Sequence, residues 1–247
     1  MHRFLCAITF LTRLPLPVKK NPQREDFAAS VNYFPLVGLV IGGLLGGSWF
    51  LFKMTFPAII NGALLLSLHV IITGGLHLDG FMDTLDGLLG GKEREERLNI
   101  MRDSRVGAFG VLGAFLLLLI KFSIYTQLNL DLLPILVLAP VLGRQVIVWA
   151  LISYPYARQQ GLGNLFNIYG DLRKFAVTTG MTLFISIIFF KIPGLAIFLL
   201  TGIFTFILAK SCDRLLGGLT GDTYGAFCEL TEVFVLLIGF MLGGHTP

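Results

Sequence analysis

The sequence predicts an all-α integral membrane protein, and three observations carry that reading. Of 247 residues, 55% are hydrophobic and only 14% are charged, against about 25% charged in soluble domains. Mean hydropathy is +0.79. A soluble chain of this length could not bury so much apolar surface. Apolar runs of spanning length, roughly 17 to 25 residues, recur along the chain. Lys and Arg, finally, are sorted to one side of those runs. The same composition excludes collagen-like, disordered, disulfide-rich secreted and nucleic-acid-binding classes. Orientation in a bilayer explains the net charge of +4 and the pI near 9.1 without nucleic acid.

Residues 4–11 form a short apolar run after Arg3. It is too short to span and lacks a small-residue cleavage site, so it is not read as a signal peptide. An interfacial helix ending before Pro15 and Pro17 is expected. About seven transmembrane helices follow, near 31–52, 56–76, 107–127, 132–153, 175–192, 194–211 and 224–242. Glycines inside them, such as Gly42-Gly43 and Gly46-Gly47, let helix backbones approach closely. Gly107, Gly110 and Gly113 make a similar small face. The whole chain, 1–247, reads as one polytopic domain. No internal repeat is visible, which weighs against an inverted-repeat transporter. Cys6, Cys212 and Cys228 are scattered and read as free thiols.

Basic residues set the orientation. With the N-terminus inside, fifteen of the nineteen Lys and Arg are cytosolic. Only Lys53 and Lys191 are outside, and Lys121 and Arg144 lie within spans. The expected topology is N-in, C-out. Of fifteen Asp and Glu, Asp131 alone falls outside. The long polar segments 77–106, 154–174 and 210–223 all face the cytosol. Polar chemistry is thus gathered at one face, as suits an enzyme with cytosolic substrates. A channel or carrier needs polar groups through its full depth.

The sharpest motif is G-G-L-H-L-D-G-F-M-D-T-L-D-G-L-L-G-G, residues 74–91. Asp79, Asp83 and Asp86 fall within about 60° of one another on a helix. Two carboxylates about 6 Å apart repel by roughly 3 kcal/mol at an effective dielectric near 20. Gathering three requires protons or a cation, and oxygen-only ligands suit Mg²⁺ or Mn²⁺. In M-R-D-S-R-V-G, residues 101–107, Asp103 offers a fourth carboxylate. Arg102 and Arg105 could hold phosphate oxygens or simply anchor the membrane face.

The segment G-G-L-T-G-D-T-Y-G-A-F-C-E-L-T-E, 217–232, puts Asp222, Glu229 and Glu232 within about 80° on a helix. Intramembrane acids are functional candidates, and structural pairing with Arg144 or Lys210 is the alternative. The glycines suit phosphate contact at a helix start. The loop containing Gly161, Gly163 and Asn164 is weak by itself and reads as a turn. His77 could donate to a phosphate. Together these features suit metal-assisted phosphoryl transfer from a nucleoside diphosphate conjugate. They do not name the acceptor.

The ordered motifs resemble the cobalamin synthase family, the adenosylcobinamide-GDP ribazoletransferases. They are F-L-T-R-L-P at 10–15, F-P-L-V-G at 34–38 and G-G-L-H-L-D-G-x-x-D-T-x-D-G at 74–87. I-M-R-D-S-R-V-G at 100–107, G-L-G-N-L-F at 161–166 and G-G-L-T-G-D-T-x-G-A at 217–226 complete the set. The resemblance covers nearly the whole chain. It implies adenosylcobinamide-GDP as donor and α-ribazole or its 5′-phosphate as acceptor. The ribose 3′-OH would attack phosphorus, GMP would leave, and Mg²⁺ would be required. It implies Asp79, Asp83, Asp86 and Asp103 as metal and catalytic residues. Arg102, Arg105 and the 161–166 loop would hold phosphates or nucleotide. It also implies a multi-pass protein of the prokaryotic inner membrane with its site at the cytosolic face. A homo-oligomer is compatible with this sequence.

A CDP-alcohol phosphotransferase of phospholipid synthesis is the first alternative. Asp83-x-x-Asp86-Gly87 fits the opening of its signature. Gly90 and Gly91 then stand where Ala-Arg is expected, and Ser104 and Ala108 where two aspartates are expected. A membrane carrier is the second alternative. It needs more deep ionisable residues than Lys121, Arg144, Glu229 and Glu232 supply.

Overall fold

A computed structural model describes residues 2–16, 24–158 and 172–243. Among the described residues the fold is helical, and the β-type pairing is an isolated bridge between Tyr156 and Leu219. Helix α1 spans His2–Leu11 and α2 spans Arg24–Ser30, before a 3-10 turn at Val31–Tyr33. Then come α3 (Phe34–Thr55), α4 (Ala58–Thr73), α5 (Leu76–Gly90) and α6 (Arg94–Ile100). The order closes with α7 (Ala108–Thr126), α8 (Leu133–Ser153), α9 (Leu172–Leu216) and α10 (Gly221–Gly243).

Five helical stretches are long and apolar enough to cross a membrane: Glu25–Thr55, Ala108–Thr126, Leu133–Ser153, Phe175–Leu216 and Gly221–Leu242. A sixth results if α4 and α5, which meet at 88°, count as one broken span. That corner is made by Gly74 and Gly75, at φ 64° and 67°. A side chain is strained in this left-handed region. Leu51, Met54, Phe115, Phe184, Ile188 and Ile203 are each more than half exposed. Surface of that kind suits lipid rather than water.

The two expected spans at 175–192 and 194–211 form one helical stretch broken at Lys191, with φ 51° and ψ −131°. Pro193 follows and lacks an amide donor. The break reverses the chain. A Cβ on Gly194 would collide with the backbone of Ser186. Trp149 of α8 touches both arms: it donates to Thr179 Oγ1 at 2.9 Å and packs edge-on against Phe198 at 5.4 Å. In a straight helix Thr179 and Phe198 would stand about 28 Å apart.

Helix α8 is the hub, packed against α3, α9 and α10. Its apolar window is 89% buried, against 28% for Phe175–Leu216. Gly38 and Gly42 of α3 lie directly on the α8 backbone, at Pro140 and Val137 respectively. A Cβ on Gly42 would stand 2.6 Å from the Val137 carbonyl oxygen, whereas one on Gly47 meets nothing. Gly42→Leu is therefore expected to destabilise the bundle by about 1–3 kcal/mol or more, and Gly47→Leu to leave it unchanged. Thermal unfolding of both variants in detergent checks this, and equal midpoints would contradict it.

Candidate active site

The α5 carboxylates share a face but differ in surroundings. Asp79 is exposed, Asp83 half-buried and Asp86 buried. Asp86 Oδ2 accepts from the Gly107 amide and Oδ1 from the Gly110 amide, each at 2.8 Å. Those amides open α7, whose own N-cap is a glycine. A carboxylate there satisfies unpaired N–H groups and meets the positive helix end. Gly107 and Gly110 make room for this carboxylate, and Gly113 admits Leu85.

The start of α10 is built with equal care. Gly217 and Gly218 turn the chain at φ 67° and 140°. A Cβ on Gly218 would stand 2.8 Å from Pro155 O and from Ala157 N. Two short loops thereby zip together: Leu219 N donates to Pro155 O and Ala157 N donates to Leu219 O, both at 2.8 Å. Thr220 and Thr223 cap the helix reciprocally, each hydroxyl accepting the other's amide at 3.2 and 2.9 Å. The result sets Asp222 against α5. A Cβ on Gly80 would lie 2.9 Å from Asp222 Cα. Arg158, delivered by the zipped loop, donates from Nη2 to Asp222 Oδ2 at 2.7 Å.

Asp83 lies on α5, which leaves α4 at 88°. Burial lifts its carboxyl to about 6, with further lifts from Asp222, Asp79 and Asp86 and only Arg158 opposing. Arg158, held on Asp222, is the cation that offsets these carboxylates in part. Among the described residues no three His, Cys, Asp or Glu side chains are gathered closely enough to hold a metal ion.

The other sequence candidates have surroundings of their own. Asp103 is bound by Arg105, whose Nη2 and Nε donate at 2.6 and 3.0 Å. This ion pair holds the Asp103 carboxyl down at about 2. Arg102 is exposed. Glu229 and Glu232 sit about 10 and 15 Å further along α10 than Asp222. Lys121 Nζ donates to both at 2.6 Å, and Arg144 donates to Glu232. His69 Nε2 lies 3.5 Å from Glu232 Oε2. Gly161, Gly163 and Asn164 fall outside the described residues. His77 is buried and lines a cavity of about 210 Å³ beside Asp79 and Asp222.

Three residues were not singled out by their sequence context. Arg158 counted only toward orientation, Lys121 had no visible partner, and Tyr224 stood inside the 217–232 motif without a role. The spacing Thr220-x-x-Thr223 was a readable helix-start signal. No local signal pairs Arg158 with Asp222, 64 residues on.

Helices long and apolar enough to cross a membrane, with a carboxylate cluster at one end of the bundle, suit a membrane enzyme. A family model described as Cobalamin-5-phosphate synthase matches residues 3–240, and the chain belongs to this family. An "Adenosylcobinamide-GDP ribazoletransferase" of Desulfitobacterium hafniense (strain Y51) is 43% identical over 98% of this chain and 98% of its own length. Proteins of the same description from Roseiflexus sp. (strain RS-1) and Acetivibrio thermocellus are 39% and 35% identical. They cover 93% and 98% of this chain, and 86% and 98% of their own lengths. No solved structure matches.

Proposed function

We propose that this chain catalyses the transfer for which its relatives are named. The adenosylcobinamide phosphoryl group passes from adenosylcobinamide-GDP to α-ribazole or its 5′-phosphate, and GMP leaves. Near full-length membership of the family carries this conclusion. The geometry around Asp83 supplies its chemistry. The ribose hydroxyl oxygen forms a bond to phosphorus while the phosphorus–oxygen bond to GMP breaks. GMP takes the electron pair, and Asp83 accepts the hydroxyl proton. With no ion bound its carboxyl lies at about 6, so Asp83 is ionised at neutral pH and able to accept a proton.

Asp79, Asp83 and Asp222 would hold Mg²⁺ only together with the donor's phosphate oxygens, since the three carboxylates do not by themselves gather closely enough for an ion. Their hard-donor chemistry and mutual repulsion around Asp83 suit such an ion. When bound, the ion neutralises the diphosphate and the charge developing on GMP. Arg158 is placed to exchange Asp222 for a phosphate oxygen as donor enters. Asp86 fixes the start of α7, and Asp103 restrains Arg105. Seven crossings with the N-terminus inside put this site at the cytosolic face of the prokaryotic inner membrane. The reversal at Lys191 and the corner at Gly74-Gly75 support that count.

The test is GMP release by detergent-purified protein given adenosylcobinamide-GDP, with and without Mg²⁺ and α-ribazole. GMP is expected only with both, alongside a corrinoid carrying the new base. CMP release from a CDP-linked lipid, with none from this donor, would overturn the proposal.

A further inference from the structure

A second cavity, of about 490 Å³, lies between α8 and the two arms of α9. Trp149, Phe175, Phe198, Leu199 and Phe206 give it mainly apolar walls. The polar side chains deeper in its lining are turned on one another or on the backbone. Trp149 Nε1 donates to Thr179 Oγ1 at 2.9 Å, and Thr205 Oγ1 donates to Thr201 O at 2.8 Å. A nucleotide or sugar seated there would lose its water and find few partners. Leu199 and Phe206 are each more than half exposed, so the cavity is a crevice on the flank of the bundle. That flank belongs to Phe175–Leu216, whose apolar window is only 28% buried. In a membrane it meets acyl chains. Left empty, a void of this size forfeits packing on every wall, and apolar walls do not hold water.

We infer that this crevice binds one anionic phospholipid, with an acyl chain between the arms of α9 and the lipid phosphate on Lys210. Phe198 and Phe206 stand about 12 Å apart along their helix, so the crevice takes an extended stretch of chain. It runs toward the end of the bundle that carries the carboxylates. Ser153 and Tyr154 line that end, and the next residue, Pro155, accepts from Leu219 N. The charge of α9 favours an anion there. Asp213 is the one acidic residue of this helix, whereas Arg173 and Lys174 open its first arm and Lys210 and Arg214 close its second. Lys210 is exposed, and its Nζ stands 5.6 Å from the ring centroid of Phe206, on the rim of the crevice. A basic side chain between helices at the membrane surface is a site for a lipid phosphate. The inference uses the membrane placement of these helices and not the reaction.

Tryptophan fluorescence tests this in the full-length protein. Trp49 and Trp149 are its two tryptophans, so Trp49→Phe leaves the crevice indole as the single reporter. Phosphatidylglycerol or phosphatidylcholine with brominated acyl chains is titrated into mixed micelles of this variant. Both should quench Trp149 saturably, and phosphatidylglycerol at about fivefold lower concentration. Lys210→Gln should erase that preference and leave the quenching. Gly202→Leu should abolish saturable quenching by both lipids. Gly202 lines the crevice, and a Cβ there meets the Trp149 ring at an ordinary 3.9 Å. Thermal midpoints check that each variant is folded. Native mass spectrometry of the wild type needs no variant and should retain one phosphatidylglycerol per chain in preference to phosphatidylcholine. Quenching that is unsaturable, equal for both lipids and untouched by Gly202→Leu would reduce the crevice to ordinary lipid contact and overturn the site. So would quenching relieved by α-ribazole, or a Trp149 shielded from both lipids in a protein that sediments as a dimer.

Discussion

Asp83→Asn should lower GMP release by about 10²–10⁴-fold while leaving a folded protein in the membrane. Asp83 is the half-buried centre of the carboxylate face, and Asn preserves its shape while removing both charge and basicity. The sign of the stability change separates this from unfolding. Burial and neighbouring carboxylates raise the Asp83 pKa from 3.8 to about 6 in the folded protein. Between those values the folded chain holds a proton that the unfolded chain has lost, so stability falls as pH rises through that window. Removing the charge therefore leaves the melting temperature at or above the wild-type value. The same group sets the acid limb of activity. Turnover should fall as pH drops below about 6, where Asp83 gains its proton. Raising Mg²⁺ from limiting to saturating concentration should move that limb to lower pH, because cation and proton compete for the same oxygens. An Asn variant with near-normal turnover, or an acid limb indifferent to Mg²⁺, would contradict both roles of Asp83.

Lys121→Met should have the largest effect on stability, about 3–5 kcal/mol. Its ammonium donates to Glu229 and Glu232 at 2.6 Å, and all three side chains are buried. Methionine fills similar space but leaves Glu229 with no cation within ion-pair distance among the described residues. Arg144 and His69 still face Glu232. Adding Glu229→Gln to Lys121→Met should recover much of the loss, since the amide no longer brings an unpaired charge. Thermal unfolding in detergent reads both effects. A single variant that melts with the wild type would show that the network contributes little.

The fold was legible where hydrophobicity decides it. Apolar runs located α3, α7, α8 and α10 to within a few residues, because lipid demands long uninterrupted helices. Lys191 was treated as a boundary between spans, and the chain reverses there. The 88° corner at Gly74-Gly75 could be read only as the end of a span. The carboxylate face on α5 followed directly from helical periodicity. Its partners did not. The spacing that offers Asp86 as a metal ligand does not show that its oxygens also accept the first amides of a helix that begins 22 residues later. Asp222 and Arg158 join the site through backbone bonds between 155–157 and 219. Pairing of that kind is long-range and leaves no periodic trace. Glu229 and Glu232 share a helix face with Asp222, yet they stand about 10 and 15 Å deeper along α10 and pair with Lys121.

Divalent-cation binding by the carboxylate face is best measured by electron paramagnetic resonance of Mn²⁺, titrated into full-length protein in detergent with adenosylcobinamide-GDP present. A site formed by Asp79, Asp83 and Asp222 predicts bound Mn²⁺ in the wild type that is displaced by Mg²⁺ and lost in Asp83→Asn. Equal Mn²⁺ binding by folded wild type and Asp83→Asn would contradict the metal-assisted transfer at this face.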